Sequence, residues 1–180
     1  VVVWLHGGGF VCGTASLPGR RAVSLSAGGL VVLVSVRYRL GIFGYLALSS
    51  LSRESADGIS GNYGLLDQIA ALRWVRRNIA AFGGDPRRVT VFGQSAGGQS
   101  VIALLVSPLS RGLFARAVVE SARYEDRGIG LWATRPLAAQ VREGEAIAAG
   151  LGAPPGHGRL AALRSLGAAR LLAAAAPAAR

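Results

Sequence analysis

Ser95 stands in Gly93-Gln94-Ser95-Ala96-Gly97, directly after the apolar run Val89–Phe92. A serine with glycine two residues to either side fits the G-x-S-x-G pattern, which requires a strand before it and a helix after it. Such a turn is so tight that the flanking positions must be small. It lifts Oγ above the sheet edge and sets it at a helix N-terminus, where backbone N–H groups favour developing negative charge. The chemistry expected of Ser95 is nucleophilic attack through a covalent intermediate. A second constellation, His6-Gly7-Gly8-Gly9-Phe10, also follows an apolar run. Its glycines can turn their N–H groups towards a ligand. Gly8 and Gly9, with Ala96 from the serine turn, would supply the donors of an oxyanion hole. The same glycines would also suit a flexible loop or a phosphate cradle. His6 precedes them and is expected to fix the loop by hydrogen bonding rather than to act as a base.

Other chemistries find no residues. The sequence has no Lys, which excludes a P-loop lysine and a pyridoxal Schiff base within it. One Cys and two His match no familiar structural zinc spacing, so no structural zinc site is expected. Cys12 reads as a small buried hydrophobe and has no partner for an internal disulfide. All 20 basic residues are Arg, and the net charge is +11. They are scattered, with nothing denser than pairs such as Arg76-Arg77, so no nucleic-acid partner is expected. No apolar run reaches the length of a transmembrane segment.

Parallel elements must position these residues. Val1–Leu5 and Leu30–Tyr38 read as strands whose continuous hydrophobicity predicts burial on both faces. Arg88–Gly93 and Ala115–Ser121 give two more. A helix is predicted over Gly64–Ala80, with Leu65, Ile69, Leu72 and Ile79 on one face. Another begins at or just after Ser95 and ends before Pro108. Arg20–Ala27 is a short helix candidate, and Leu46–Ile59, rich in Ser, Asp and Gly, reads as a loop. The alternation predicts an α/β fold with a parallel sheet. Residues 131–180 carry Ala-, Leu- and Arg-rich helical segments broken by a Gly/Pro stretch around His157. The expected organisation is a core over 1–122 and a helical portion of the same domain over 123–180. The chain opens inside an apolar strand without Met, as a piece of a longer protein would.

Five segments, "HGGGF", "YRLGIFGYLAL", "GNYGLLDQIAALRWVRRNIAAFGGDP", "VTVFGQSAGGQSV" and "LFARAVVESA", resemble the type-B carboxylesterase/cholinesterase family in order and spacing. The resemblance implies a partial α/β-hydrolase fold, its mostly parallel sheet flanked by helices. It implies hydrolysis of a small-molecule carboxylic ester by Ser95 through an acyl-enzyme, with no cofactor. Gly8, Gly9 and Ala96 match the family's oxyanion hole. Phe10, Gln94 and Trp132 match substrate-facing positions, and Arg39 and Asp67 a buried ion pair.

Three departures from the family pattern stand out. Gln94 replaces the Glu that cholinesterases carry before the nucleophile, which argues against a cationic choline ester. "VVESA" replaces a usual Gln-Ser-Gly, and Arg37 replaces a common Asn. The family's triad runs Ser, then Glu or Asp, then His, with both partners well beyond the stretch covered here. His157 and Glu120 are poor substitutes, and Glu125 and Asp126 read as solvated loop charges. The 180 residues alone are therefore expected to be inactive. The alternatives are a cholinesterase-like interaction domain without catalysis and a decayed gene fragment. Relatives of the first kind typically lose the nucleophile, which is present here.

Overall fold

The computed structural model describes residues 1–16, 27–29, 31–122 and 136–175. The chain divides into two compact units, one formed by Val1–Tyr38 and Gly64–Trp132, the other by Arg39–Tyr63 and Ala133–Arg180.

The first unit is built on four parallel strands: β1 (Val2–Leu5), β2 (Leu33–Ser35), β3 (Thr90–Gln94) and β4 (Arg116–Glu120). Their order across the sheet is β2-β1-β3-β4, so β1 and β3 are central. Val3 pairs with Val34 on one side and Val91 on the other, and Gly93 with Val119. The parallel sheet is what the unbroken apolar runs predict. β2 is shorter than the Leu30–Tyr38 expected, although Val2 N–H to Val32 O and Val36 N–H to Trp4 O extend the pairing at both ends.

A helix over Tyr63–Asn78 continues into a 3-10 turn, Ile79–Phe82, and stops at Gly83 with φ 78°. A second helix of this unit, Ala96–Val106, packs against β1, β3 and β4. Val3, Leu5, Val91, Leu72, Val75 and Val101 are fully buried. Burial alternates along β1 and β3, and Trp4 and Phe92 on the other face are only half-buried, their rings 4.7 Å apart. Among the described residues the two central strands are thus fully covered on one face only, and Val118 and Val119 of the edge strand β4 are exposed. Gln68 is an unexpected core residue. It has no exposure and donates from Nε2 to Ser100 Oγ at 3.0 Å, joining the two helices.

The second unit holds two short helices, α1 (Gly41–Tyr45) and α2 (Ser49–Glu54), and three later ones, Leu137–Gly150, Arg159–Ser165 and Ala168–Ala175. In chain order the five helices after α2 are therefore α3 (Tyr63–Asn78), α4 (Ala96–Val106), α5 (Leu137–Gly150), α6 (Arg159–Ser165) and α7 (Ala168–Ala175). Its core is Leu48, Ala148, Leu151, Ala153 and Leu163.

The loop expected over Leu46–Ile59 is corrected here, because α2 occupies part of it. Leu48 at its N-cap offers no side-chain acceptor. The cap comes instead from Glu145 of α5, whose Oε1 accepts the Ser49 N–H at 3.1 Å, a distant contact that no local pattern announces. Leu48 and Leu51 then bury against α5 and α6, outweighing the weak helix propensity of the serines. The break between α5 and α6 falls where the Gly/Pro stretch predicts it. The helix candidate Arg20–Ala27 lies, but for its last residue, outside the described residues. Among the described residues no helix is long and apolar enough to cross a membrane.

Candidate active site

Ser95 lies between the last residue of β3 and the first of α4, at φ 55° and ψ −121°. A side chain in this region costs about 1–3 kcal/mol and persists only where its surroundings enforce it. Two backbone hydrogen bonds do so: Ser95 N–H to Glu120 O at 2.8 Å, and Gln99 N–H to Ser95 O at 2.9 Å. The glycines explain the rest. A Cβ on Gly93 would strike the carbonyl of Gly97, and one on Gly97 would strike that of Leu5. A Cβ on Gly98 would lie 2.9 Å from Glu120 O. The turn closes only without those side chains, and it carries α4 directly onto β1.

The His6–Phe10 loop runs alongside. A Cβ on Gly7 would be 2.8 Å from Gln94 O, 3.0 Å from Gln94 Oε1 and 3.1 Å from Ser95 Cβ, so the loop touches the serine turn at Gly7. Gly8 and Gly9 take φ 113° and 61°, conformations glycine adopts without strain. Phe10 is also left-handed, at φ 62°, and its side chain is buried.

Two peptide planes in this loop are fixed through their carbonyls. His6 Nδ1 lies 2.8 Å from Gly7 O. A carbonyl only accepts, so Nδ1 carries the proton and donates. Gly8 O accepts from Val11 N–H and Cys12 N–H, both at 3.1 Å, and from the Cys12 thiol at 3.4 Å. In a trans peptide the N–H points opposite to the C=O. The Gly8 N–H is therefore turned away from the His6 ring, and the Gly9 N–H away from Cys12. Neither donates to any described residue. Ala96, the first residue of α4, has an N–H of the kind that finds no acceptor within its own helix. Cys12 is exposed, not buried as its residue type predicts.

Behind the loop stands Tyr38. Its hydroxyl donates to His6 O at 2.6 Å, and its ring stacks on the His6 imidazole with centroids 4.4 Å apart and planes 16° from parallel. Burial pushes the Tyr38 phenol up from 10.0 to about 12, so it remains a donor at any ordinary pH. Between these values the folded chain keeps a proton that the unfolded chain releases, and stability falls as pH rises through the window. Urea midpoints measured across pH 10 to about 12 should decline, and Tyr38→Phe should flatten the slope. Tyr63, raised chiefly by burial, leaves a residual slope in the variant.

The carboxylesterase family model matches residues 1–178, a stretch that includes both the serine turn and the glycine loop. The chain belongs to the carboxylesterase family. It is 54% identical over 121 residues to the para-nitrobenzyl esterase of Bacillus subtilis, an alignment covering 67% of this chain and 24% of that protein. It is 48% identical over 153 residues to the fumonisin B1 esterase of Sphingopyxis macrogoltabida, covering 85% and 26%. A solved PNB esterase superposes with TM-score 0.81 at 44% identity, over 97% of this chain and 34% of the other. The chain thus spans about a quarter of the length of these curated relatives. Its parallel sheet flanked by helices is the α/β-hydrolase fold of this carboxylesterase-family neighbour.

Gln94 is half-buried at the end of β3, beside Gly7. Glu120 has an exposed side chain and serves the serine turn through its main-chain carbonyl. Asp67 lies on α3. The Arg39 guanidinium stands 5.4 Å from the centre of the Tyr63 ring. His157 is exposed in the loop between α5 and α6. Trp132, Glu125 and Asp126 lie outside the described residues. Sequence reasoning passed over Tyr38 and Gly7. Tyr38 was visible only as an aromatic residue closing an apolar run, and Gly7 only as one glycine of three.

Proposed function

We propose that the complete protein carrying this sequence is a serine carboxylic-ester hydrolase. Ser95 Oγ attacks the ester carbonyl, and the tetrahedral oxyanion is held by the N–H groups of Gly8, Gly9 and Ala96. Collapse expels the alcohol and leaves an acyl group on Ser95, and water then releases the acid. The observation that supports this reading most strongly is the fixed pair of peptide planes, Gly7–Gly8 and Gly8–Gly9, beside a serine held at φ 55°. Gln94 keeps the position before the nucleophile neutral, which favours esters of uncharged alcohols.

The base and its acid come from outside these 180 residues. Of the two histidines, His6 has its Nδ1 proton committed to Gly7 O, and His157 is an exposed loop residue. Oxyanion stabilisation alone leaves a residual rate about a thousandfold over water. Steady-state release of p-nitrophenol from the acetate ester should be fast with the complete protein and no higher than that residual rate with the 180-residue chain. Equal turnover by the two would show that base and acid lie within this stretch, and no turnover by either would favour a non-catalytic relative.

A further inference from the structure

We infer that Tyr38 is a positioning residue for this hydrolysis, setting the direction of the Gly8 N–H through His6. The inference rests on the serine-esterase reading and adds to it a residue outside the motifs. The chain of contacts is short. Tyr38 Oη donates to His6 O at 2.6 Å, which fixes the plane of the His6–Gly7 peptide. The Tyr38 ring holds the imidazole by stacking at 4.4 Å, and that imidazole donates from Nδ1 to Gly7 O at 2.8 Å. This second bond fixes the plane of the next peptide, whose N–H belongs to Gly8. Two successive peptides are thus oriented by one tyrosine–histidine pair.

The surroundings leave the pair little freedom. Tyr38 and His6 are both buried, at 7% and 6% exposure. Gly13, at φ 129°, lies so close to the imidazole that a Cβ there would run into Nδ1. The loop therefore closes back over the ring on its Nδ1 side while Tyr38 covers a face. Charge develops on the oxyanion only as the transition state forms, so a misdirected donor lowers kcat more than it raises KM.

The test is Tyr38→Phe in the complete protein, which removes the hydroxyl and keeps the stacking ring. Turnover of p-nitrophenyl acetate is measured per active site, with sites counted by fluorophosphonate labelling. An alkyl trifluoromethyl ketone serves as a tetrahedral mimic. The inference expects kcat to fall about tenfold, KM to stay within about twofold, and ketone affinity to fall by the factor lost in kcat. A lower melting temperature with kcat per labelled site unchanged would overturn it, as would a loss confined to KM. If Tyr38→Phe does not fold, His6→Phe keeps a stacking ring while deleting the Nδ1 donor, and must give the same kcat-specific loss. The wild type offers a check free of substitution: nitrogen-15 NMR must show the neutral His6 imidazole protonated at Nδ1, and an Nε2–H tautomer would overturn the inference. Failure of the esterase reading looks different: the wild-type complete protein would then show no turnover, or Ser95→Ala would retain it, whatever Tyr38 does.

Discussion

Replacing Ser95 by alanine in the complete protein is expected to lower ester turnover by about ten-thousand-fold or more, while leaving the fold in place. The nucleophile and its base act as a unit, so loss of the hydroxyl removes the covalent route entirely. What remains is the modest contribution of the oxyanion donors to direct attack by water. Alanine suffers the same strain as serine at φ 55°, so stability should barely change. Ser95→Gly separates the two effects. It abolishes turnover equally, yet relieves the left-handed strain and is expected to stabilise the chain by about 1 kcal/mol, after allowing for the flexibility glycine adds to the unfolded state. Initial rates and urea denaturation of the three proteins give both readouts. A gain in stability with a loss of function is the signature of strain held at a reactive turn.

The largest expected stability effect is at Gly97. An alanine Cβ there would meet the carbonyl group of Leu5 and come within 2.8 Å of His6 O. Both obstacles are backbone, at the end of the central strand β1 and just beyond it, so no side chain can rotate out of the way. Helix α4 would have to lift off β1, opening the packing around Val3, Leu5 and Val101. Overpacking of this kind typically costs about 1–3 kcal/mol, and the upper end or beyond is expected where backbone must move. The His6–Phe10 loop leaves directly from β1, so the same displacement should also pull the Gly8 and Gly9 donors away from Ser95. Gly150→Ala is the control, since nothing lies within 4 Å of a Cβ there. Urea midpoints should fall sharply for Gly97→Ala and hold or rise slightly for Gly150→Ala.

The strand, serine turn and helix from Val89 to Val106 were legible because three local signals agree there: continuous apolar residues, glycines at fixed offsets, and a helical run ended by Pro108. The parallel direction of the four strands follows from the same consistency. Helix α2 was illegible because its cap, Glu145, is 96 residues away and its serines resemble a loop. The buried Gln68–Ser100 bond was hidden for a related reason, since a polar residue on a helix is ordinarily assigned to the surface.

Within the site, residue types announced the nucleophile and the donors but not the scaffold that aims them. Tyr38 is 32 residues from His6, and its role exists only because β2 lies beside β1 and brings the chain back past the loop. Peptide-plane orientation has no sequence signature of its own. It emerges from which carbonyl each neighbouring donor reaches, as with His6 on Gly7 and Cys12 on Gly8.

The central claim is that Ser95 is the nucleophile. Treating the complete protein with a fluorophosphonate and mapping the adduct by peptide mass spectrometry tests it most directly. The account predicts one adduct per chain, on the peptide containing Ser95, with ester turnover falling in proportion to labelling and no adduct in Ser95→Ala. An adduct on a different residue, or full turnover from protein whose Ser95 is completely labelled, would contradict it.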